Sequence, residues 1–127
     1  MKCLVVEDSA TMRRVLANAL RGAGCEVVEA SDAKHALERC GRDIHAVITA
    51  WSLPGMSGVE LVRALRANPE TAGARVLMVT ARNLKHDVLE AIAAGVDSYL
   101  LKPFAAEALH GKLVELLRSG PEERAAA

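Results

Sequence analysis

Two carboxylates, Glu7 and Asp8, stand side by side where the first apolar run of the chain ends. Adjacent acids at such a place can complement a helix dipole and cap its free N–H groups. They also repel one another, and a hard cation such as Mg²⁺, held through oxygen ligands, would relieve that repulsion. Lys102 follows another apolar run and precedes Pro103. It can snorkel from a strand end while the proline starts a helix. It can equally serve the two acids as a counter-charge and a phosphoryl group as a point-charge ligand. Thr80 closes a third apolar run; it is either an ordinary β-branched strand residue or a hydroxyl offered to the same place. Each of these residues alone is unremarkable. Their common position, at the ends of apolar runs, makes them a candidate site.

The elements that must position them follow from the change of period along the chain. Cys3 to Val6 is a short continuous apolar run, the signature of a strand buried on both faces. Met12, Val15, Leu16, Ala19 and Leu20 then form one helical stripe, with Asp8 or Ser9 as cap and Gly22 and Gly24 at its end. The pattern repeats. Strands are predicted over 26–30, 44–50, 75–80 and 96–101. Helices are predicted over 32–41 with Ser31 as cap, from the Ser57-x-x-Glu60 capping box to Asn68-Pro69, over 84–94 and over 104–118. Leu109, Leu113, Leu116 and Leu117 would line the last helix's buried face. Residues 119–127 are expected to be a short solvated tail after a domain spanning 1–118. Five strands alternating with five helices imply an α/β fold, a doubly wound, five-stranded parallel sheet of flavodoxin-like type covered on both faces. In that architecture function lies beyond the C-terminal ends of the strands. Those ends are Glu7-Asp8, Ala50, Thr80 and Lys102.

Composition removes several classes of function. The chain has 127 residues, 51% hydrophobic and 25% charged, which is ordinary for one globular domain. Sixteen basic and sixteen acidic residues cancel, against bulk affinity for nucleic acid or an anionic membrane. No run approaches the roughly 18 apolar residues of a membrane span, and the N-terminal run is too short for a signal peptide. Cys3, Cys25 and Cys40 have no metal-ligand spacing and fit reduced thiols in a cytoplasmic protein. His35, His45, His86 and His110 are scattered, against a metal cluster. Two acids after the first strand would repel a phosphate, against a flavodoxin-like nucleotide binder.

The segments Val6-Glu7-Asp8-Ser9, Thr11-Met12-Arg13-Arg14, Leu53-Pro54-Gly55-Met56-Ser57-Gly58, Met78-Val79-Thr80-Ala81 and Tyr99-Leu100-Leu101-Lys102-Pro103-Phe104 resemble the response-regulator receiver family, in order and spacing, over residues 3 to about 117. The resemblance is strongest to its single-domain chemotaxis members. It implies a cytoplasmic, non-enzymatic protein of a two-component phosphorelay, phosphorylated by a histidine kinase with Mg²⁺ as cofactor. It further implies Glu7, Asp8 and the backbone carbonyl of Ser52 as metal ligands, Thr80 as the switch hydroxyl, Tyr99 as the aromatic that reorients with it, and Lys102 as the phosphoryl-binding lysine. The Lys102–Pro103 bond would be cis. A target protein would be met through the fourth helix, fifth strand and fifth helix, a face that includes Lys85, Glu90, Tyr99 and Lys112. Trp51 is expected to be a partly exposed loop residue; Arg13 and Arg14 are either solvated charges or part of a kinase-docking face, with solvation favoured.

One position departs from the family pattern. Ala50 stands where the resemblance requires the phospho-acceptor aspartate, and a methyl group can neither attack phosphorus nor ligate a metal. Thr49 should point to the opposite face of the sheet, and Ser52 lacks a base. The intact set of Glu7, Asp8, Thr80 and Lys102 favours an engineered substitution that holds a working regulator unphosphorylated. A natural pseudo-receiver that recognises partners without phosphate is the alternative. A metal-dependent hydrolase ranks last, since the cleft supplies too few acids. In either of the first two cases the resting arrangement is expected to have Tyr99 turned outward and Thr80 away from position 50.

Overall fold

A computed structural model describes residues 1–118, so the tail expected over 119–127 lies outside the described residues. The chain alternates strand and helix: β1 (Lys2–Val6), α1 (Ala10–Gly22), β2 (Glu26–Ala30), α2 (Ala33–Arg39), β3 (Ile44–Ala50), α3 (Gly58–Ala67), β4 (Arg75–Thr80), α4 (Lys85–Ala94), β5 (Ser98–Leu101) and α5 (Ala106–Arg118). The strands form one parallel sheet in the order β2-β1-β3-β4-β5. The order reverses direction between β1 and β3, so the chain ends of those two strands flank a crevice.

Strand alternation divides the core in two. Leu4 and Val6 of β1 and Val47 of β3 join α2, α3 and α4 on one face of the sheet. Cys3, Val5, Ala46 and Ile48 face the other way, against Leu16 and Leu20 of α1 and Leu109, Leu113 and Leu116 of α5. Both faces are covered, which is why these strands are continuously apolar in sequence. Thr49 is buried, donates its hydroxyl to the Ala50 carbonyl at 2.9 Å and does not line the crevice.

Local chemistry moves some boundaries from their expected places. Asp32, not Ser31, caps α2, because its carboxylate reaches the His35 N–H at 2.8 Å. Ser57 caps α3 as the capping box predicts, accepting from the Glu60 N–H at 3.2 Å. The fifth strand starts at Ser98, since the Asp97 carboxylate accepts from the Val76 N–H and turns the chain there. Val15, expected inside, is exposed, whereas its neighbour Ala17 is buried. Leu117 is only half-buried. Val15 instead borders an open apolar groove of about 570 Å³ between α1 and α5.

Candidate functional site

The site begins with the ends of β1, β3, β4 and β5. Because these strands are parallel and in register, their last residues meet at one edge of the sheet. There Glu7, Asp8, Ala50, Ser52, Thr80 and Lys102 line a cleft of about 450 Å³, with Trp51 and Arg82 on its walls. All the residues singled out from the strand ends are thus brought together. Tyr99 is not in the cleft lining, and Lys85, Glu90 and Lys112 lie elsewhere on α4 and α5. Among the described residues the α1–α5 groove brings together no acid, and His110 is the one titratable residue lining it, so the chemistry belongs to the strand-end cleft.

The loop over the cleft is fixed by close backbone approach. Gly58 donates its N–H to the Trp51 carbonyl at 2.7 Å, and a Cβ at position 58 would stand 1.9 Å from the Ala50 carbonyl oxygen. Only glycine lets α3 start this close to the end of β3. The Lys102–Pro103 peptide bond is cis.

The two acids have different surroundings. Glu7 is buried, and its Oε1 accepts from Lys102 Nζ at 2.8 Å while its Oε2 accepts from the Ser9 N–H at 3.1 Å. Asp8 is exposed and has no partner among the described residues. Arg13, expected in solvent, donates to the Glu7 carbonyl at 2.7 Å and pairs with Glu29 at 3.4 Å. Its partners lie just beyond the end of β1 and in β2, which no spacing within α1 reveals. With both Glu7 oxygens engaged, Asp8 is the carboxylate left with open lone pairs. Among the described residues no group of three or more His, Cys, Asp or Glu side chains is placed to hold a metal. Mg²⁺ is commonly held by one or two carboxylates with water at its other positions. Here Asp8 offers one, Glu7 is paired with Lys102 and Ala50 offers none, so the donor set is a weak one for that ion.

The opposite wall is built from β4 and β5. Thr80 is buried, and its Oγ1 accepts from the Arg82 N–H at 3.2 Å. Tyr99 is neither turned fully outward nor enclosed. Its ring packs against the core, and its hydroxyl donates to the Arg82 carbonyl at 2.8 Å. Burial raises the Tyr99 phenol above its ordinary pKa, with the Asp87 charge adding to the effect. Trp51 is buried in the core, not partly exposed, and carries the Arg82 guanidinium 4.6 Å from its ring centre. Sequence reasoning missed Arg82; its place two residues beyond Thr80 was the available signal. Cys3 and Cys40 supply no substitute nucleophile. Burial pushes Cys40 up to about 11 and Cys3 up to about 12, so both stay protonated thiols.

A family model described as the response regulator receiver domain matches residues 3–114. The chain belongs to this family. It is 39% identical over 131 residues to a chemotaxis protein CheY homolog of Campylobacter jejuni, covering 99% of both chains. A putative response regulator from Chloroflexus aurantiacus superposes with a TM-score of 0.85 at 32% identity, covering 93% of this chain and 98% of that one. The receiver domain of a sensor histidine kinase from Pseudomonas aeruginosa, solved with magnesium coordinated in its active-site cleft, superposes at 0.80 with 28% identity. It covers 93% of this chain and 98% of that one. The receiver fold and the two-component class expected from the sequence are thereby established. Receivers are signalling domains rather than classical enzymes, and no helix among the described residues is long and apolar enough to cross a membrane.

Proposed function

We propose that this receiver is a cytoplasmic, chemotaxis-type regulator whose cleft takes up no phosphoryl group, because Ala50 occupies the acceptor position. The carrying observation is that a methyl group ends β3 in a cleft that otherwise holds Glu7, Asp8, Thr80 and Lys102. Phosphoryl transfer needs an oxygen nucleophile in line with the donor, and a methyl group offers no lone pair. Lys102 and Thr80 would be the phosphoryl-binding groups, and Tyr99 would follow Thr80 when the switch is thrown. Mg²⁺ would be held weakly by Asp8, Glu7 and the Ser52 carbonyl. The CheY name of the Campylobacter relative motivates the chemotaxis reading.

Output would go through a protein contact on α4, β5 and α5. Leu84, Leu89, Ile92 and Leu101 are large exposed apolar residues on or beside α4 and β5, and such patches mark interaction surfaces. The input partner would be a histidine kinase.

Intact-mass measurement after incubation with acetyl phosphate and Mg²⁺ tests the reading. The chain should gain nothing, and Ala50→Asp should gain one phosphoryl mass. A phosphoryl adduct on the unaltered chain would overturn it. A second reading, a natural module acting without phosphate, is favoured by the Lys102–Glu7 pair, which neutralises the buried acid from within the chain itself. Failure of Ala50→Asp to gain mass would select that reading over a single substitution in a working cleft.

A further inference from the structure

Arg82 touches four separate parts of the molecule. Its N–H donates to Thr80 Oγ1, and its carbonyl accepts from the Tyr99 hydroxyl. Its guanidinium lies over the Trp51 ring and reaches Asp87 Oδ1 at 3.5 Å. Trp51 directly follows Ala50 and is buried, so the ring is a fixed wall. Asp87 sits in the first turn of α4 and is also buried. The other side chain near its carboxylate, the His86 ring at 3.4 Å, is largely in solvent and contributes little.

The two ends of α4 are held very differently. At the C-terminal end, Gly95 adopts the left-handed conformation and its N–H returns to the Ile92 carbonyl. The Gly95 carbonyl accepts from Arg66 at 2.8 Å, and Arg66 also pairs with Asp97. At the N-terminal end, Leu84 supplies no side-chain cap, and the Asp87 and Val88 amides return to the Leu84 carbonyl. The link from Asp87 to Arg82 ties that end to the cleft.

We propose that Arg82 is a positioning residue: a latch that clamps the first turn of α4 to the cleft wall and makes its placement depend on the charge inside the cleft. The physical basis is competition for one cation. Arg82 lines the cleft, and its guanidinium is shared between the face of Trp51, itself a lining residue, and the Asp87 carboxylate, both modest attractions for a half-exposed side chain. A negative charge added beside Trp51 draws the same group inward, away from Asp87. The inference rests on these contacts and not on the phosphoryl chemistry proposed above.

Amide hydrogen exchange, read residue by residue, tests it with an internal control. In Arg82→Gln the Asp87 and Val88 amides should exchange about tenfold faster, as the loss of one cation–π contact and one half-exposed ion pair would give. Gly95 and Val96, held at the other end, should be unchanged. Asp87→Asn, which leaves Arg82 on Trp51, should accelerate the same two amides. Ala50→Asp without metal should accelerate them several-fold, and the effect should vanish in Ala50→Asp/Arg82→Gln when compared with Arg82→Gln alone. Unchanged Asp87 and Val88 exchange in Arg82→Gln, or equal acceleration at both ends of α4, would overturn the latch. An Ala50→Asp effect that is absent, or that persists without Arg82, would overturn its dependence on charge.

Discussion

Replacing Lys102 with methionine removes the cation from a carboxylate that solvent barely reaches. The Glu7 side chain is 3% exposed and Lys102 26%, with 2.8 Å between Nζ and Oε1. At that distance and an effective dielectric of about 20 the gross attraction is about 6 kcal/mol. Solvent around the half-buried ammonium and the entropy of ordering the lysine stem reduce this. The other hydrogen bond to the Glu7 carboxylate, from the Ser9 N–H, cannot compensate a buried charge. A cost of about 2 kcal/mol is expected for Lys102→Met, below the 3–5 kcal/mol of fully buried pairs. Urea unfolding at neutral pH should show it as a midpoint lowered by about 1 M, with the slope unchanged. Glu7→Gln should restore much of the loss in the Lys102→Met background, since the double variant buries no unpaired charge. A Lys102→Met midpoint within error of the parent would refute the reasoning. So would a double variant whose loss equals the sum of the singles.

Three further outcomes follow from the same geometry. Trp51, the only tryptophan, flanks the cleft, so its fluorescence should stay flat up to millimolar Mg²⁺ in this chain and respond in Ala50→Asp; matching titrations would contradict the ligand assignment. Gly58→Ala should cost about 3 kcal/mol and lower the melting temperature by about 10 °C, because its Cβ meets backbone at 1.9 Å; an unaltered melting temperature would show that α3 can start elsewhere. The Asp32 carboxyl is held below its ordinary pKa, first by the His35 N–H and then by the His35 ring. Its folded pKa is depressed, so its contribution is complete above the unfolded carboxylate value near 4 and is lost as pH falls through the folded one. The stability gap between the parent and Asp32→Ala should therefore narrow on acidification from pH 6 to below 4, and a pH-independent gap would contradict the cap.

Most of the fold was legible because parallel strands buried on both faces leave continuous apolar runs, and the helices between them carry a different period. The strand-end residues were legible for the same reason, since topology alone gathers Glu7, Ala50, Thr80 and Lys102. What escaped was set by tertiary contact. Ser31 and Asp32 are both good caps, and only the reach of the Asp32 carboxylate to His35 decides between them. Val15 follows the α1 stripe, but α5 crosses so as to leave an open groove there. Arg13 and Arg82 look like surface charges in sequence, and each finds partners on other elements. Trp51 is buried because α3 turns back over it from Gly58.

The charges of the cleft explain why the resting arrangement is self-sufficient. Its lining carries two acids, Glu7 and Asp8, and two cations, Lys102 and Arg82. With Ala50 between them these sum to zero, and Lys102 and Arg82 find partners in Glu7 and Asp87. An aspartate at position 50 would leave the lining one charge negative and add a carboxylate beside two others. That surplus is what a divalent cation relieves. Nothing then holds Lys102 exclusively to Glu7, and nothing holds Arg82 exclusively to Asp87. The same substitution should therefore create a Mg²⁺ response, free a lysine for a phosphoryl oxygen and loosen the start of α4. Three separate measurements thus share one electrostatic cause.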